Sequence, residues 1–407
     1  MLIAAGVLTL LIWTYLVFAR GGFWRIYPAI PPLHLPGDAS YESSIRERAV
    51  RIAVIIPARN EADVVDRVVH SLLRQTGQNA IHIFLIDDGS TDSTAQVARA
   101  AAISIGQTED LTVVRGTPLP SGWSGKLWAL EQGIELARQT NPDFFLFTDA
   151  DIEHAPNSLA SLVAIAMSGP YDMTSFMVKL HCESAAEKLL IPAFVYFFFK
   201  LYPPAWTANS GRGTAGAAGG CILIRPAALD KAGGIAAIRQ EVIDDCSLAA
   251  RVKHAGGRLW LGTSAATRSL RPYGSFSEIG RMISRSAFSQ LRHSTLLLLL
   301  AMVGMAATYL LPPVLVLSGI WGGVLGGQGA VSAALVVGIP AAAWLLMIVS
   351  YIPVLRLYRL SPLWALALPL AGVFYVGATF HSAMKYWSGR GGQWKGRVQD
   401  PVQSRHS

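Results

Sequence analysis

Between Ser294 and Lys385 the only charged residues are Arg356 and Arg359. Blocks 296–320, 330–355 and 363–384 are each apolar enough, and long enough as helices, to cross a bilayer. Residues 2–19 (LIAAGVLTLLIWTYLVFA) are also free of charge, and Arg20 and Arg25 follow them. No basic region precedes this stretch, and Phe23, Trp24 and Tyr27 suit an interfacial belt, so 1–20 reads as an uncleaved anchor rather than a signal peptide. Hydrophobic residues make up 52% of the chain and charged residues 15%, an apolar excess over a soluble globular chain. The expected organisation is an anchor over 1–20, a globular domain over 50–295, membrane helices over 296–387 and a basic tail over 388–407.

Arg20 and Arg25 place the globular domain on the cytoplasmic side of a multi-pass protein of the inner membrane. Four spans put the tail outside, whereas its Lys385, Arg390, Lys395 and Arg397 argue for inside. Pro312, Pro313 and Pro340 allow one block to be broken or re-entrant, so the number of crossings stays open. The net charge of +8 falls largely near the membrane edges, which fits anionic lipid headgroups and gives no reason to expect a nucleic acid partner. Cys182, Cys221 and Cys246 lack paired metal-ligand spacing and suit a reduced compartment.

Within the globular section, IAVIIP (52–57) reads as a strand, and Val64, Val65, Val68, Val69, Leu72 and Leu73 mark one face of a following helix. IHIFLI (81–86) is a second strand, ending in Asp87 and Asp88, with Thr91 or Asp92 placed to cap the next helix. A strand over 111–115, a helix over 125–139 and a strand over 143–148 continue the alternation. This predicts an α/β domain with a mostly parallel sheet, whose ligands bind beyond the carboxyl ends of the strands. Asn60, Glu61, Asp87, Asp88, Asp149 and Asp151 fall at those ends. Residues 189–206 read as an interfacial segment, with a further span as the lesser option; 209–220 form a loop of small residues before the strand CILI. EVIDDCSLAARVKHAGG begins a helix with an acidic first turn.

FTDADI (147–152) puts Asp149 and Asp151 on one side of a strand end, where their repulsion calls for a cation, a hard ion such as Mg2+ or Mn2+ being the usual remedy. A solvated turn is the alternative. His154, His181 and His254 lack metal-site spacing and read as surface or packing residues.

Together, IPARNE, LIDDGSTDST, FTDADI, AGGCILIRP and EVIDDCSLA resemble the family 2 inverting glycosyltransferases, over about 50–295. IDDCSLA, SLRPY, FSQLRHS and GGQWKGR are similar, more narrowly, to the hopene-associated glycosyltransferases of bacteria. The resemblance implies a GT-A type nucleotide-sugar-binding domain in which Pro57, Arg59 and Glu61 frame the nucleotide pocket and Asp88 holds the uracil or ribose end, with Asp87 either beside it or capping a turn. It implies that Asp149 and Asp151 hold a divalent metal on the donor diphosphate. Asp245 becomes the base that takes the acceptor proton, and Asp244 stands where the family often has Glu.

Lys126 stands ahead of a helix and within reach of the donor phosphates, unless it is an ordinary solvated lysine. The resemblance also implies that Gly219 and Gly220 border the acceptor pocket. Gln290 and Arg292 are the nearest match to the QxxRW motif, but the spacing is compressed and tryptophan is missing, which weighs against a processive polymerase. The implied partners are a nucleotide-sugar, a UDP-sugar foremost, and a lipid hydroxyl, with hopanoid, ceramide and polyprenyl phosphate as acceptor classes. A nucleotidyltransferase lacks the glycine-rich phosphate cradle it would need, and a non-catalytic membrane scaffold would have no use for these acids.

Overall fold

The structure is a computed structural model, and it describes residues 2–26, 49–77, 79–325, 330–389, 393–394 and 397–398. Tyr27 and most of the basic tail, including Arg390, Lys395 and much of GGQWKGR, lie outside the described residues.

The chain builds one eight-stranded mixed sheet. Its strands are β1 (Arg51–Ala58), β2 (Ala80–Asp87), β3 (Leu111–Arg115), β4 (Phe144–Thr148), β5 (Ile152–His154), β6 (Met173–Lys179), β7 (Cys221–Ile224) and β8 (Leu259–Ser269). They lie in the order β3-β2-β1-β4-β7-β6-β8-β5. The first four are parallel, as the alternation predicts, whereas β7 runs antiparallel to both β4 and β6, and β5 antiparallel to β8.

Period-2 alternation divides β1 between two layers. Ile52, Val54 and Ile56 face a cluster with Val65, Val68, Val69 and Leu72 from helix Val65–Leu73. Ala53 and Ile55 face Leu127, Leu130 and Ile134 from helix Gly125–Arg138, together with Leu248 and Val252 from helix Asp244–His254. Burial on both faces explains why these strands are continuous apolar runs.

Among the described residues, five helices are long and apolar enough to cross a membrane: Leu2–Ala19, Ala185–Ala208, Thr295–Gly322, Ala334–Leu357 and Pro362–Trp387. The four blocks read from the sequence all appear, and segment 189–206 is helical. Helix Ala185–Leu201 continues through Pro192 and is buried along most of its length. Its Tyr196 and Phe197 join Trp13, Tyr309, Tyr351 and Tyr375 in a third core that ties the apolar helices to the sheet domain. Outward-facing Leu11, Phe18, Leu300, Val303 and Trp321 give the helices a hydrophobic exterior.

Candidate functional site

The polar residues gather where β1, β2 and β4 end, opposite the first turn of helix Asp244–His254. After β1, Arg59 donates from Nη1 to the Asp88 carbonyl at 2.9 Å and lies 3.3 Å from Asp88 Oδ2. Asp88 is buried, and this cation helps to offset its charge. Asp87 acts locally, its Oδ1 accepting from Ser90 N at 2.9 Å to close the turn after β2. Asp92 accepts from Thr94 N at 3.1 Å at the start of the following helix.

Asp149 and Asp151 sit in the turn after β4 rather than on the strand, because β4 ends at Thr148 and β5 begins at Ile152. Strand alternation therefore does not set their directions, and each meets its own cation. Lys126 Nζ lies 3.0 Å from Asp149 Oδ1 and 3.1 Å from Asp244 Oδ2, bridging the β4 turn to the Asp244 helix. Arg271 donates from Nε to Asp151 Oδ2 at 2.8 Å and from Nη2 to both Glu61 oxygens at 2.8 and 2.7 Å. With side chains 38% and 16% exposed, the two aspartates are not freely solvated. Burial raises the Asp149 carboxyl above its usual range, Asp151 adds to the shift, and Lys126 opposes it. Lys126 is itself held firmly protonated, since Asp149 and Asp244 outweigh the effect of its burial.

Asp245 lies one residue further into the acidic turn. Its Oδ2 accepts from Gly219 N at 2.8 Å and its Oδ1 from Cys246 N at 2.7 Å. Burial, then the Asp244 charge, pushes its carboxyl up to about 6 against Lys126 and the two N–H donors. A Cβ at Gly219 would press on Asp245 Oδ2 at 3.3 Å and touch Lys126 Nζ at 3.5 Å, so this glycine keeps the backbone close to both groups. The Gly220 carbonyl accepts from Thr148 Oγ1 at 2.9 Å and fixes the approach of β7 to β4. Pro57, Lys126, Asp149, Gly219, Asp244 and Asp245 line one narrow cleft.

Neither Gln290 nor Arg292 lines this cleft. Gln290 accepts from Tyr202 OH at 3.0 Å, while Arg292 is exposed in a left-handed turn with φ 51°. Arg271 is the residue that sequence reasoning did not assign. Its signal was SLRPY, a segment noticed for its likeness alone, and no periodicity connects it with an aspartate 120 residues earlier. The histidines have packing roles: His154 is buried against Thr148 and His181 bonds Glu187. Among the described residues, no cluster of three or more His, Cys, Asp or Glu could hold a metal.

Residues 53–233 match the family model described as Glycosyl transferase family 2. The fold is of the GT-A type. The match runs from β1 through β7 and ends ahead of Asp244, Asp245 and Arg271.

The chain is 34% identical over 101 residues to 4,4'-diaponeurosporenoate glycosyltransferase of Staphylococcus aureus (strain USA300), a stretch covering 25% of this chain and 24% of the relative. The alignment thus spans about a quarter of the relative's length. A mannosyltransferase from Pyrobaculum calidifontis, solved with GDP-Man and Mn2+, aligns over 92% of this chain and 99% of its own at 17% identity and a TM-score of 0.49. Glucosyl-3-phosphoglycerate synthase from Mycobacterium tuberculosis, solved with Mg2+ and UDP, aligns over 64% and 84% at 19% identity and a TM-score of 0.40.

Proposed function

We propose that the chain is a membrane-bound inverting glycosyltransferase that moves a sugar from a nucleotide-sugar, a UDP-sugar foremost, to a hydroxyl on a membrane lipid. The observation that carries this reading is the Lys126 bridge, in which one ammonium touches both Asp149 on the donor side and Asp244 on the base side. Donor phosphates and acceptor base then share a single cleft, whose donor side lies within the stretch that matches family 2.

In this reading Pro57, Arg59, Glu61 and Asp88 surround the nucleoside, with Asp87 holding their turn in shape. Asp149 and Asp151 are the ligands for Mg2+ or Mn2+. The donor set fits such an ion: each carboxylate keeps one oxygen outside its ion pair, and hard cations of this kind take one or two carboxylates and complete their shell with phosphate and water. A bound ion supplies charge neutralisation on the leaving diphosphate. Asp245 accepts the acceptor's hydroxyl proton as its oxygen bonds to the anomeric carbon and the bond from that carbon to the phosphate oxygen breaks. Gly219 and Gly220 leave room for the acceptor beside Asp245.

Apolar helices packed against the sheet domain favour an acceptor held in lipid. The relative named for 4,4'-diaponeurosporenoate and the likeness to hopene-associated enzymes both favour a terpenoid lipid, hopanoids first, ahead of ceramide or polyprenyl phosphate. Arg20 and Arg25 favour a cytoplasmic face of the inner membrane for the cleft. The test is transfer from a panel of radiolabelled nucleotide sugars to extracted bacterial lipids by purified protein, with Mn2+ or with chelator. A labelled lipid that disappears with chelator is expected; folded protein that labels no lipid from any donor overturns the reading.

A further inference from the structure

Away from the catalytic cleft, and sharing no residue with it, a cavity of about 500 Å3 opens between the first helix, the end of helix Ala185–Leu201 and the turn around Thr308. Leu11, Ile12, Leu16 and Leu201 form its apolar wall, and Arg20 and Lys200 stand in its lining.

Both cations are held in position by neutral groups. Arg20 donates from Nε to the Lys200 carbonyl at 3.1 Å and lies 4.6 Å from the Trp206 ring centroid. Lys200 Nζ donates to Tyr309 OH at 2.8 Å and lies 4.6 Å from the Tyr309 ring centroid. Gly21, at φ 64°, makes the turn that brings Arg20 there, and a Cβ at that position would meet the Trp206 indole at 2.8 Å. Among the described residues, no carboxylate forms an ion pair with either cation. The carbonyl end of helix Ala185–Leu201 offers about half a negative charge against two positive ones. The walls also contain π-helical turns, Tyr15–Ala19 on one side and Ala306–Leu310 on the other, a local distortion frequent at functional sites.

Two cations without acids at the head of an apolar groove complement a phosphate carrying a hydrocarbon chain. We propose that this groove binds one anionic membrane phospholipid, its phosphate on Arg20 and Lys200 and an acyl chain along the leucines. A free phosphate would leave the apolar wall unused, and a zwitterionic lipid would bring its own cation to the pair.

The test equilibrates the full purified chain in detergent with equal amounts of phosphatidylglycerol and phosphatidylcholine of matched chains, then counts the lipid retained by mass spectrometry. Wild-type protein is expected to retain phosphatidylglycerol selectively. Arg20→Gln or Lys200→Gln should each cut that selectivity about five-fold, the effect of one cation near a lipid surface. Arg20→Lys and Lys200→Arg, which keep the charge, should preserve it, as should Arg25→Gln, since Arg25 is exposed on Trp24 away from the groove. Absence of selectivity in the wild type, which needs no variant to measure, overturns the proposal. Selectivity untouched by either glutamine variant overturns it as well, and displacement by excess inorganic phosphate would show that the site reads phosphate rather than lipid.

Discussion

Arg271 and Lys126 stand where the simplest expectation put a metal ion between two aspartates, and this divides the residue-scale chemistry in two. On the donor side, Arg271 competes for Asp151 with any cation that binds there. Removing a charge-assisted hydrogen bond of this kind is worth about 1.5–3 kcal/mol, so Arg271→Gln should tighten Mn2+ binding without nucleotide by about tenfold or more. Manganese titration by electron spin resonance reads this directly, and unchanged or weaker binding would show that Arg271 is no competitor. On the base side, burial and Asp244 raise Asp245 to about 6. The raised value means the carboxylate is lost as pH falls through that region, so kcat/KM for transfer should drop about tenfold per pH unit below it and level off above. Asp245→Asn should lower turnover by about two to four orders of magnitude and abolish that limb while leaving nucleotide binding in place. An unchanged acid limb in the pH profile of Lys126→Arg would confirm that the titrating group is Asp245 and not the ammonium.

Helix Ala185–Leu201 shows how one element can hold both the membrane side and the cleft in register. Glu187, buried in its first turn, accepts from Glu183 N at 2.9 Å, Ser184 N at 2.8 Å, Tyr273 N at 2.7 Å and His181 Nδ1 at 2.7 Å. Ser184 Oγ in turn accepts from Glu187 N, so the helix starts with a reciprocal cap that also clamps the stretch of chain carrying Arg271. Glu187→Ala should cost about 3 kcal/mol by leaving buried N–H groups unmade, against about 1 kcal/mol for Ser184→Ala. Thermal unfolding in detergent checks the ranking, and a raised KM for the donor in Glu187→Ala would report the loss of Arg271 placement. The S-x-x-E spacing of Ser184 and Glu187 is a cap signature within the sequence, whereas the contact with Tyr273, 86 residues away, leaves no such signal. The parallel half of the sheet was legible, since β1, β4 and the second half of β2 are buried on both faces and read as apolar runs. By contrast β8, LWLGTSAATRS, mixes glycine, serine and alanine and borrows its strand character from β6 and β5. Asp149, Asp244 and Asp245 were legible because acids at strand and helix ends break an apolar pattern. Arg271 breaks none.

At the scale of the whole molecule, the sheet decides what the second of the five apolar helices can do. Strands β6 and β7 are hydrogen-bonded neighbours, and helix Ala185–Leu201 lies between them in the chain. A single crossing there would put β7, β8 and Asp245 on the opposite side of the bilayer from β1, β2, β4 and Asp149, and the sheet could not form. Crossing and returning is no easier: residues 202–220, helical only over Pro204–Ala208, would have to come back largely as irregular chain, which lipid excludes. The helix therefore enters the apolar bundle without traversing it. Its Tyr196 bonds Ser350, and the Tyr375 hydroxyl donates to the Leu190 carbonyl, so its polar groups are satisfied within the protein. Single cysteines placed in a background lacking Cys182, Cys221 and Cys246 test this. Ala100→Cys, on an exposed helix face before the segment, and Gly213→Cys, in the exposed loop after it, should both react with a membrane-impermeant thiol reagent from the same side of oriented vesicles. The proposed orientation, set by Arg20 and Arg25, predicts the cytoplasmic side. Labelling from opposite faces would mean that the helix crosses, and with it the Lys126 bridge between Asp149 and Asp244 would be impossible.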